Sequence, residues 1–296
     1  MRLVYYSLLP DTHGRYESQW IESVASLRRH NPQVSVRLFV YGRVTPSLAE
    51  TARAFDVVLV PAGDYSDTLT AIAPNWARLL AFCPTLHKVL SLRLLPDQPL
   101  SQLLYLDCDT FFFGDVADIF ERYVELEWYA REEPCSRRSA YGYDPGYLDE
   151  DALADIARRE RLEVVPPFNT GVMVLNHGLW LALASLSAEL LELAGRLMLG
   201  IDRSTFQPFL SGLDSTIQSC VFDKAAALPF PSSNSWLIEA VALWLTLGRL
   251  SGVSHGVLSR HDVLQNGEFR HRKHDPVLVH YFSSLEMEFF ESIRVS

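Results

Sequence analysis

The chain has 296 residues, of which 48% are hydrophobic and 21% charged, so it can bury the core of one large domain or two small ones. Its 26 lysines and arginines stand against 36 aspartates and glutamates, which gives a net charge of −10. This balance argues against a duplex nucleic-acid binder, which needs a basic face to displace counterions from phosphates, and we expect no nucleic-acid partner.

The N-terminal residues predict a strand and a helix rather than a targeting segment. Residues 1–10 have too short an apolar run for a secretory signal and no small-residue cleavage site, so we expect a cytoplasmic protein. Residues 3–7 predict a short strand, and turn residues follow at 10–14. An amphipathic helix comes next, because apolar residues recur at i, i+4 and i+7, namely Trp20, Val24 and Leu27.

The alternation of strand and helix continues as far as residue 131. In chain order we predict a strand at 34–40, a helix after Pro46, a strand at 57–60, a long helical region within 74–95, a strand at 103–106, a helix from about 116 and a strand at 127–131. Strands that alternate with helices imply a largely parallel sheet with crossover helices. Neither a P-loop nor a G-x-G-x-x-G sequence occurs, which argues against a Walker-type or dinucleotide site.

Residues 132–150 interrupt this pattern. They hold two glycines, two prolines and three tyrosines with little periodicity, which predicts a long surface loop. We expect the loop to be mobile and to close over a bound ligand. Its tyrosines, Tyr141, Tyr143 and Tyr147, could stack on that ligand or pack within the loop.

The second half predicts strands at 171–175 and 277–281 and helices near 179–199 and 236–249. Both helical stretches are strongly apolar but carry charged residues, so neither is a transmembrane segment, which needs roughly 20 nearly uncharged residues. The second helix repeats large apolar residues at helical spacing, which favours the core over a ligand platform: Trp236, Leu237, Val241 and Trp244.

The cysteines and histidines do not form a recognisable metal site. The four cysteines are dispersed without a C-x-x-C pair, so buried free thiols are expected at Cys83, Cys108, Cys135 and Cys220. Four histidines near the C-terminus are irregularly spaced among basic residues, which favours a solvated loop: His255, His261, His271 and His274.

Two Asp-x-Asp pairs differ in their context. Asp149 and Asp151 begin a polar helical stretch and are predicted to complement the helix dipole. Asp107 and Asp109 follow the buried strand at 103–106, and ligands bind at this end of a strand in open α/β sheets. Two adjacent carboxylates repel unless a cation neutralises them, and their hard oxygens suit Mg²⁺ or Mn²⁺. The alternative is a loop pair that caps the amides of Thr110 and Gly114.

The motif around Asp107 resembles a known family. Leu-Leu-Tyr-Leu-Asp-Cys-Asp-Thr, followed by Gly-Asp-Val-Ala-Asp-Ile-Phe, is similar to the Asp-x-Asp segment of GT-A nucleotide-sugar glycosyltransferases, especially the retaining family 8 of glycogenin and bacterial galactosyltransferases. Residues 167–176 are similar to that family's Asn-x-Gly strand, and Val279-His280-Tyr281 to its C-terminal strand with a metal-binding histidine. The resemblance covers residues 1–282 and implies an α/β fold, a single GT-A domain whose Rossmann-like, mostly parallel central sheet is flanked by helices.

The resemblance also implies a site. It makes Asp107, Asp109 and His280 the ligands of Mn²⁺ (or Mg²⁺), with Asp107 also near the ribose. The other implied positions are Asn169 and Gly171 at the donor sugar, Asp214 near the anomeric carbon, Lys88 or else Arg93 as a basic residue over the donor, and Tyr16 or Ser7 at the base. Asn169 and Asp214 would be the catalytic residues.

The implied activity is transfer of a hexose from a UDP-sugar to an unidentified acceptor, which could be a glycan, a protein or a small molecule. Residues 1–131 would form the nucleotide-binding half and 132–296 the donor-sugar and acceptor half. No residue near the site is an obvious general base, which favours a retaining, front-face mechanism. Two other functions remain open, a catalytically weak sugar-nucleotide-binding protein and a haloacid-dehalogenase-type phosphohydrolase, which also places Asp-x-Asp after a buried strand.

The chain departs from the family pattern at two places. Ser215 follows Asp214, where the family has glutamine. After His280 the chain reads Tyr-Phe-Ser-Ser-Leu instead of the family's Gly-x-x-Lys-Pro-Trp element for the diphosphate. Lys88, Arg93 or the amides of Ser283 and Ser284 could serve in its place.

Overall fold

Runs of buried aliphatic and aromatic residues form the strands of a central sheet. The computed structural model describes residues 1–95, 100–132, 148–201, 227–232, 237–265, 268 and 274–280. In chain order its strands are β1 (Arg2–Leu8), β2 (Val36–Tyr41), β3 (Val58–Gly63), β4 (Gln102–Leu106), β5 (Thr110–Phe112), β6 (Trp128–Glu132), β7 (Phe168–Asn176), β8 (His255–Val257), β9 (Val263–Leu264) and β10 (Leu278–His280).

The central sheet has the strand order β3-β2-β1-β4-β7-β6-β8 within the described residues. The pairs β1–β2, β2–β3, β1–β4 and β6–β8 are parallel, whereas β7 runs antiparallel to both β4 and β6. The predicted mostly parallel sheet is therefore confirmed. Since β7 is antiparallel to β4, its N-terminal residues lie beside the C-terminal end of β4, where the amide of Asp107 donates to the carbonyl of Gly171 at 2.8 Å.

A smaller sheet adds residues from the end of the described chain to this edge. Its strand order is β5-β10-β9, and β10 pairs antiparallel with β5 so that His280 lies opposite Thr110. Because β5 starts directly after Asp109, this pairing fixes His280 beside the Asp-x-Asp pair.

Helices cover both faces of the central sheet. They are α1 (Arg15–His30), α2 (Pro46–Ala54), α3 (Tyr65–Ile72), α4 (Ala77–Leu80), α5 (His87–Leu90), α6 (Val116–Arg122), α7 (Glu150–Glu160), α8 (Leu179–Ser185), α9 (Ser187–Gly200) and α10 (Ile238–Arg249). Successive side chains of β1 point to opposite faces. Tyr5 packs in the cluster that contains α9 and α10, and Tyr6 packs in the cluster that contains α1.

Two predicted helices are interrupted. The helical region predicted within 74–95 consists of α4, a 3₁₀ turn at Pro84–Leu86, α5 and a second 3₁₀ turn at Ser91–Leu94. Pro84 has no amide hydrogen and disfavours the α conformation of the preceding residue, and Cys83 accordingly adopts φ −114° and ψ 77°. The helix predicted near 179–199 divides at Leu186 into α8 and α9.

Other sequence predictions agree with the structure where it describes them. The carboxylate of Asp149 accepts from the amide of Ala152 at the start of α7. Cys83 and Cys108 are buried free thiols, and Val241 and Trp244 are buried in the core. Several positions lie outside the described residues: Cys135, Cys220, Trp236, His271 and most of the predicted loop, including Tyr141, Tyr143 and Tyr147. No helix in the described ranges is both long and apolar enough to span a membrane.

Candidate functional site

The strand ends surround a cavity of about 410 Å³. β1 and β4 end at this edge of the sheet, β7 begins there, and β10 reaches it from the smaller sheet. The cavity is lined by each predicted site residue that the structure describes except Arg93: Ser7, Tyr16, Lys88, Asp107, Asp109, Asn169, Gly171 and His280. Arg93 is exposed and does not line the cavity, whereas Lys88, its alternative over the donor, does. Asp214, Ser215, Ser283 and Ser284 lie outside the described residues.

Asp107, Asp109 and His280 form a cluster that could hold a metal ion. His280 Nε2 lies 3.3 Å from Asp109 Oδ1 and 3.5 Å from Asp107 Oδ2. One ligand atom from each residue lies within 4.8 Å of the others. Ligands about 2.1 Å from one ion and at right angles to each other are about 3 Å apart, so this trio fits a shared divalent cation. Two carboxylates and an imidazole are a donor set that Mn²⁺ accepts.

The alternative, in which Asp107 and Asp109 cap the amides of Thr110 and Gly114, finds no support in the described residues. The amide of Gly114 donates to the carbonyl of Val277 at 3.1 Å rather than to a carboxylate. The carboxylate of Asp107 instead accepts from Lys88 at 2.8 Å and from Tyr105 at 2.5 Å. The side chains of Asp107 and Asp109 therefore point to the cluster and not to the loop's own amides.

Gly171 makes room for His280. A β-carbon built on residue 171 would lie 2.0 Å from Cε1 and 2.3 Å from Nε2 of the imidazole, far inside van der Waals contact. Any larger residue would displace the ring. The space that the imidazole needs thus explains why residue 171 is a glycine, which the Asn-x-Gly pattern alone does not explain.

The charges of the cluster are strongly coupled. Burial lowers the pKa of His280, but the carboxylates of Asp109 and Asp107 outweigh burial and raise that pKa to about 9. Burial raises the pKa of Asp107, but Lys88 and then His280 outweigh it and hold the pKa well below its usual range. Lys88 and a protonated His280 together therefore offset the charges of the two carboxylates.

Lys88 and Tyr105 orient Asp107. Lys88 Nζ lies 2.8 Å from Asp107 Oδ2, and the hydroxyl of Tyr105 donates to Oδ1 at 2.5 Å. Burial lowers the pKa of Lys88, but the two nearby carboxylates, Asp107 first and Glu239 second, raise it above its ordinary value. Lys88 stays charged, and its ammonium group is fixed in the cavity wall.

Glu239 is a cavity residue that the sequence reasoning missed. It lies in the first turn of α10, is 2% exposed, and its Oε2 accepts from the hydroxyl of Thr170 at 3.3 Å. Burial raises the pKa of Glu239, and although Lys88 lowers it, the result is about 7. No obvious general base was expected near the site, and the buried carboxylate of Glu239 lies in the cavity wall. The available signal was the single charge in the otherwise apolar stretch 237–248.

The other end of the cavity holds Ser7 and Tyr16. Ser7 Oγ lies 2.7 Å from His87 Nδ1 and donates to the carbonyl of His87 at 3.1 Å. Burial, followed by the charge of Lys88, lowers the pKa of His87 to about 3, so this imidazole is neutral. At the mouth, Arg15 lies 4.8 Å from the ring centroid of Tyr16 and donates to its hydroxyl at 3.0 Å. Neither His87 nor Arg15 belongs to a motif that is recognisable in the sequence.

The comparisons with known proteins identify the fold. No protein-family model matches the chain, and a search of curated proteins finds no match. Among solved structures, the apo form of mouse xyloside xylosyltransferase 1 has a TM-score of 0.50 at 13% identity, over 95% of this chain and 97% of that chain. An active-site mutant of LgtC has a TM-score of 0.50 at 11% identity, over 96% of this chain and 88% of that chain.

The chain has the GT-A glycosyltransferase fold. The predicted fold class is confirmed. In this GT-A fold the Asp-x-Asp pair follows β4, which lies between the parallel strand β1 and the antiparallel strand β7. This is the crevice at strand ends where open α/β sheets bind ligands.

Proposed function

We propose that this protein is a metal-dependent glycosyltransferase that moves a hexose from a UDP-sugar to an acceptor. The observation that carries the proposal is the convergence of Asp107, Asp109 and His280 in the cavity of a GT-A fold. At net charge −10 the chain would repel an anionic donor, and a bound divalent cation reverses the local field.

The proposed ion is Mn²⁺ or Mg²⁺, held by Asp107, Asp109 and His280. When bound, it acts as a Lewis acid that stabilises the negative charge developing on the leaving diphosphate. His280 must lose its proton before Nε2 can ligate a metal, so metal binding and proton release are coupled. Lys88 remains beside Asp107 and keeps this carboxylate ionised and oriented.

The base and ribose are proposed to occupy the end of the cavity at Ser7 and Tyr16. Tyr16 is 40% exposed and offers an aromatic face for a base. Because the hydroxyl of Ser7 is held by His87, we propose that Ser7 shapes this end by fixing His87. The nucleotide would thus contact mainly the half formed by residues 1–131.

The sugar is proposed to occupy the end formed by β7. Asn169 is 5% exposed and uses Oδ1 to accept from the amide of Gly171 at 2.9 Å, which fixes the backbone beside His280. On the resemblance, Asn169 and Gly171 lie at the donor sugar and Asp214 acts near the anomeric carbon. Retention of configuration likewise rests on the resemblance to family 8.

A thermal-shift panel of UDP-, GDP- and dTDP-sugars with and without Mn²⁺ tests the proposal. A ligand that binds only the folded state raises apparent stability, by about 2.7 kcal/mol at one hundred times its Kd. We expect stabilisation by a UDP-sugar only when Mn²⁺ is present, and slow release of UDP from that donor. Stabilisation without UDP release would favour the catalytically weak binding protein. No stabilisation by any donor, or the same stabilisation without metal, would refute the proposal.

A further inference from the structure

Glu239 combines complete burial with an unused hydrogen-bond acceptor. The residue is 2% exposed and lines the cavity together with its helix neighbours Leu237 and Ala240. Its Oε2 is held by the hydroxyl of Thr170, whereas Oε1 is buried and has no hydrogen-bond partner among the described residues. A buried carboxylate oxygen without a partner destabilises a protein, so its presence in the wall of a cavity points to a ligand.

Pairing with Lys88 does not explain why residue 239 is a buried carboxylate. Lys88 Nζ lies 2.8 Å from Asp107 Oδ2 but 3.7 Å from Glu239 Oε2, so its short contact is with Asp107. A buried ion pair gives no general advantage over well-packed apolar residues, and the rest of the stretch 237–248 is uncharged. A carboxylate at this position is therefore better explained by what enters the cavity than by the stability of α10.

The position of Glu239 indicates which part of a donor it meets. Thr170 lies between Asn169 and Gly171 on β7, and Lys88 separates Glu239 from the metal ligand Asp107. A diphosphate at Asp107, Asp109 and His280 places the next group of the donor, its sugar, beside Lys88 and Thr170. The groups that a sugar presents to an acceptor atom are hydroxyls, which donate well to a carboxylate.

We propose that Oε1 of Glu239 accepts a hydrogen bond from a hydroxyl of the donor sugar and that Glu239 thereby distinguishes a nucleotide sugar from the free nucleotide. Thr170 and Lys88 hold Oε2 and so fix the orientation of the carboxylate. The inference rests on the proposed function and adds a residue that contacts the transferred group.

The geometry makes Glu239→Gln a sharp test. Thr170 and Lys88 both present hydrogen-bond donors to Oε2, so a glutamine must place its carbonyl oxygen there. Its amide nitrogen then occupies the position of Oε1, where it can donate but not accept. The substitution thus keeps the shape of the side chain and an acceptor at the position of Oε2, and it removes the negative charge and the unpartnered acceptor Oε1.

The measurement is calorimetric titration of UDP, UDP-glucose, UDP-galactose and UDP-xylose in the presence of Mn²⁺. For the sugar nucleotide that wild type binds best, Glu239→Gln should weaken binding about tenfold or more, whereas the affinity for UDP should stay within about twofold. Thr246→Val is the matched control, because Thr246 is a buried polar residue of the same helix that donates to the carbonyl of Ala242 at 2.7 Å. It should leave both affinities unchanged.

Each other outcome overturns the inference. Equal losses for UDP and UDP-sugar would make Glu239 part of the site's framework, and unchanged affinities would show that it does not meet the sugar. If wild type binds no UDP ligand with Mn²⁺, the proposed function fails as well. If Glu239→Gln does not fold, Glu239→Asp, which withdraws the carboxylate by one methylene, must show the same selective loss.

Discussion

Gly171 lies so close beneath His280 that a β-carbon on residue 171 would come within 2.0 Å of the imidazole Cε1. The two residues belong to different sheets, Gly171 to the central β7 and His280 to the smaller sheet's β10. The imidazole fills the space that the absent side chain leaves. The glycine and the proposed metal ligand therefore form one structural unit.

Gly171→Ala should displace His280 and weaken Mn²⁺-dependent UDP binding by at least about tenfold, because one of three ligands leaves its position. Gly195→Ala is the control, since a β-carbon there would meet the ring of Trp76 at 2.4 Å, and both residues are outside the cavity lining. It should lower the unfolding temperature without changing the Mn²⁺ dependence. Normal metal dependence in a folded Gly171→Ala protein would contradict the steric role.

Lys88→Met should destabilise the metal-free protein by about 3 kcal/mol, because it removes the nearer of the two cationic groups beside the buried Asp107 and leaves only His280. Saturating Mn²⁺ should recover part of this loss, since the ion supplies positive charge to the same carboxylate. Denaturant unfolding with and without Mn²⁺ measures both effects.

Arg196→Met provides the comparison for Lys88→Met. Arg196 pairs with Glu160 at 2.8 Å at a more exposed position and does not line the cavity. Arg196→Met should therefore lose less stability than Lys88→Met, about 1 kcal/mol, and Mn²⁺ should not change this loss. If Mn²⁺ fails to restore any stability to Lys88→Met, Asp107 is not a metal ligand in this protein.

His87 should make the folded state sensitive to acid. Its pKa is lowered to about 3 in the fold, so between that value and its ordinary pKa near 6.5 the unfolded chain binds a proton that the folded chain does not. Stability is therefore lost as the pH falls through this window, by about 2 kcal/mol between pH 7 and pH 5 from this group alone.

The variant His87→Asn isolates this contribution. Asparagine can still form a hydrogen bond with Ser7 but does not titrate. The free energy of unfolding of the variant should therefore fall less steeply between pH 7 and pH 5 than that of wild type. The raised pKa of His280 acts in the opposite sense, since its stabilisation is complete below pH 6.5 and is lost as the pH rises through about 9. Parallel curves for the two proteins below pH 6.5 would show that His87 is not a buried neutral imidazole.

Local patterns were sufficient to predict much of the fold. We could predict β1 from residues 3–7 and α1 from the spacing of Trp20, Val24 and Leu27, because the apolar residues of an element follow the faces that it buries. Pro84 marks the helix break in the sequence itself, because proline disfavours the α conformation of the residue before it. The antiparallel insertion of β7 between β4 and β6 was not predicted, because strand order is a property of the whole chain.

Some residues of the candidate site could likewise be predicted from local sequence patterns, and others could not. Asp107 and Asp109 were found from their position after a buried strand, but periodicity alone could not connect them with His280, which reaches them only through the pairing of β10 with β5. That connection came from the family resemblance. Glu239 was missed because one charge in an apolar helix does not reveal whether it faces solvent or a cavity.

The proposed function depends on a metal ion that Asp107, Asp109 and His280 hold and that binds the diphosphate of a UDP-sugar. Calorimetric titration of UDP into wild type and Asp109→Asn, with Mn²⁺ and with a chelator, tests it most directly. We expect that wild type binds UDP only with Mn²⁺ and that Asp109→Asn loses this binding while remaining folded, since its side chain is 21% exposed. Equal UDP affinity in the two proteins, or binding by wild type that is unaffected by the chelator, would contradict it.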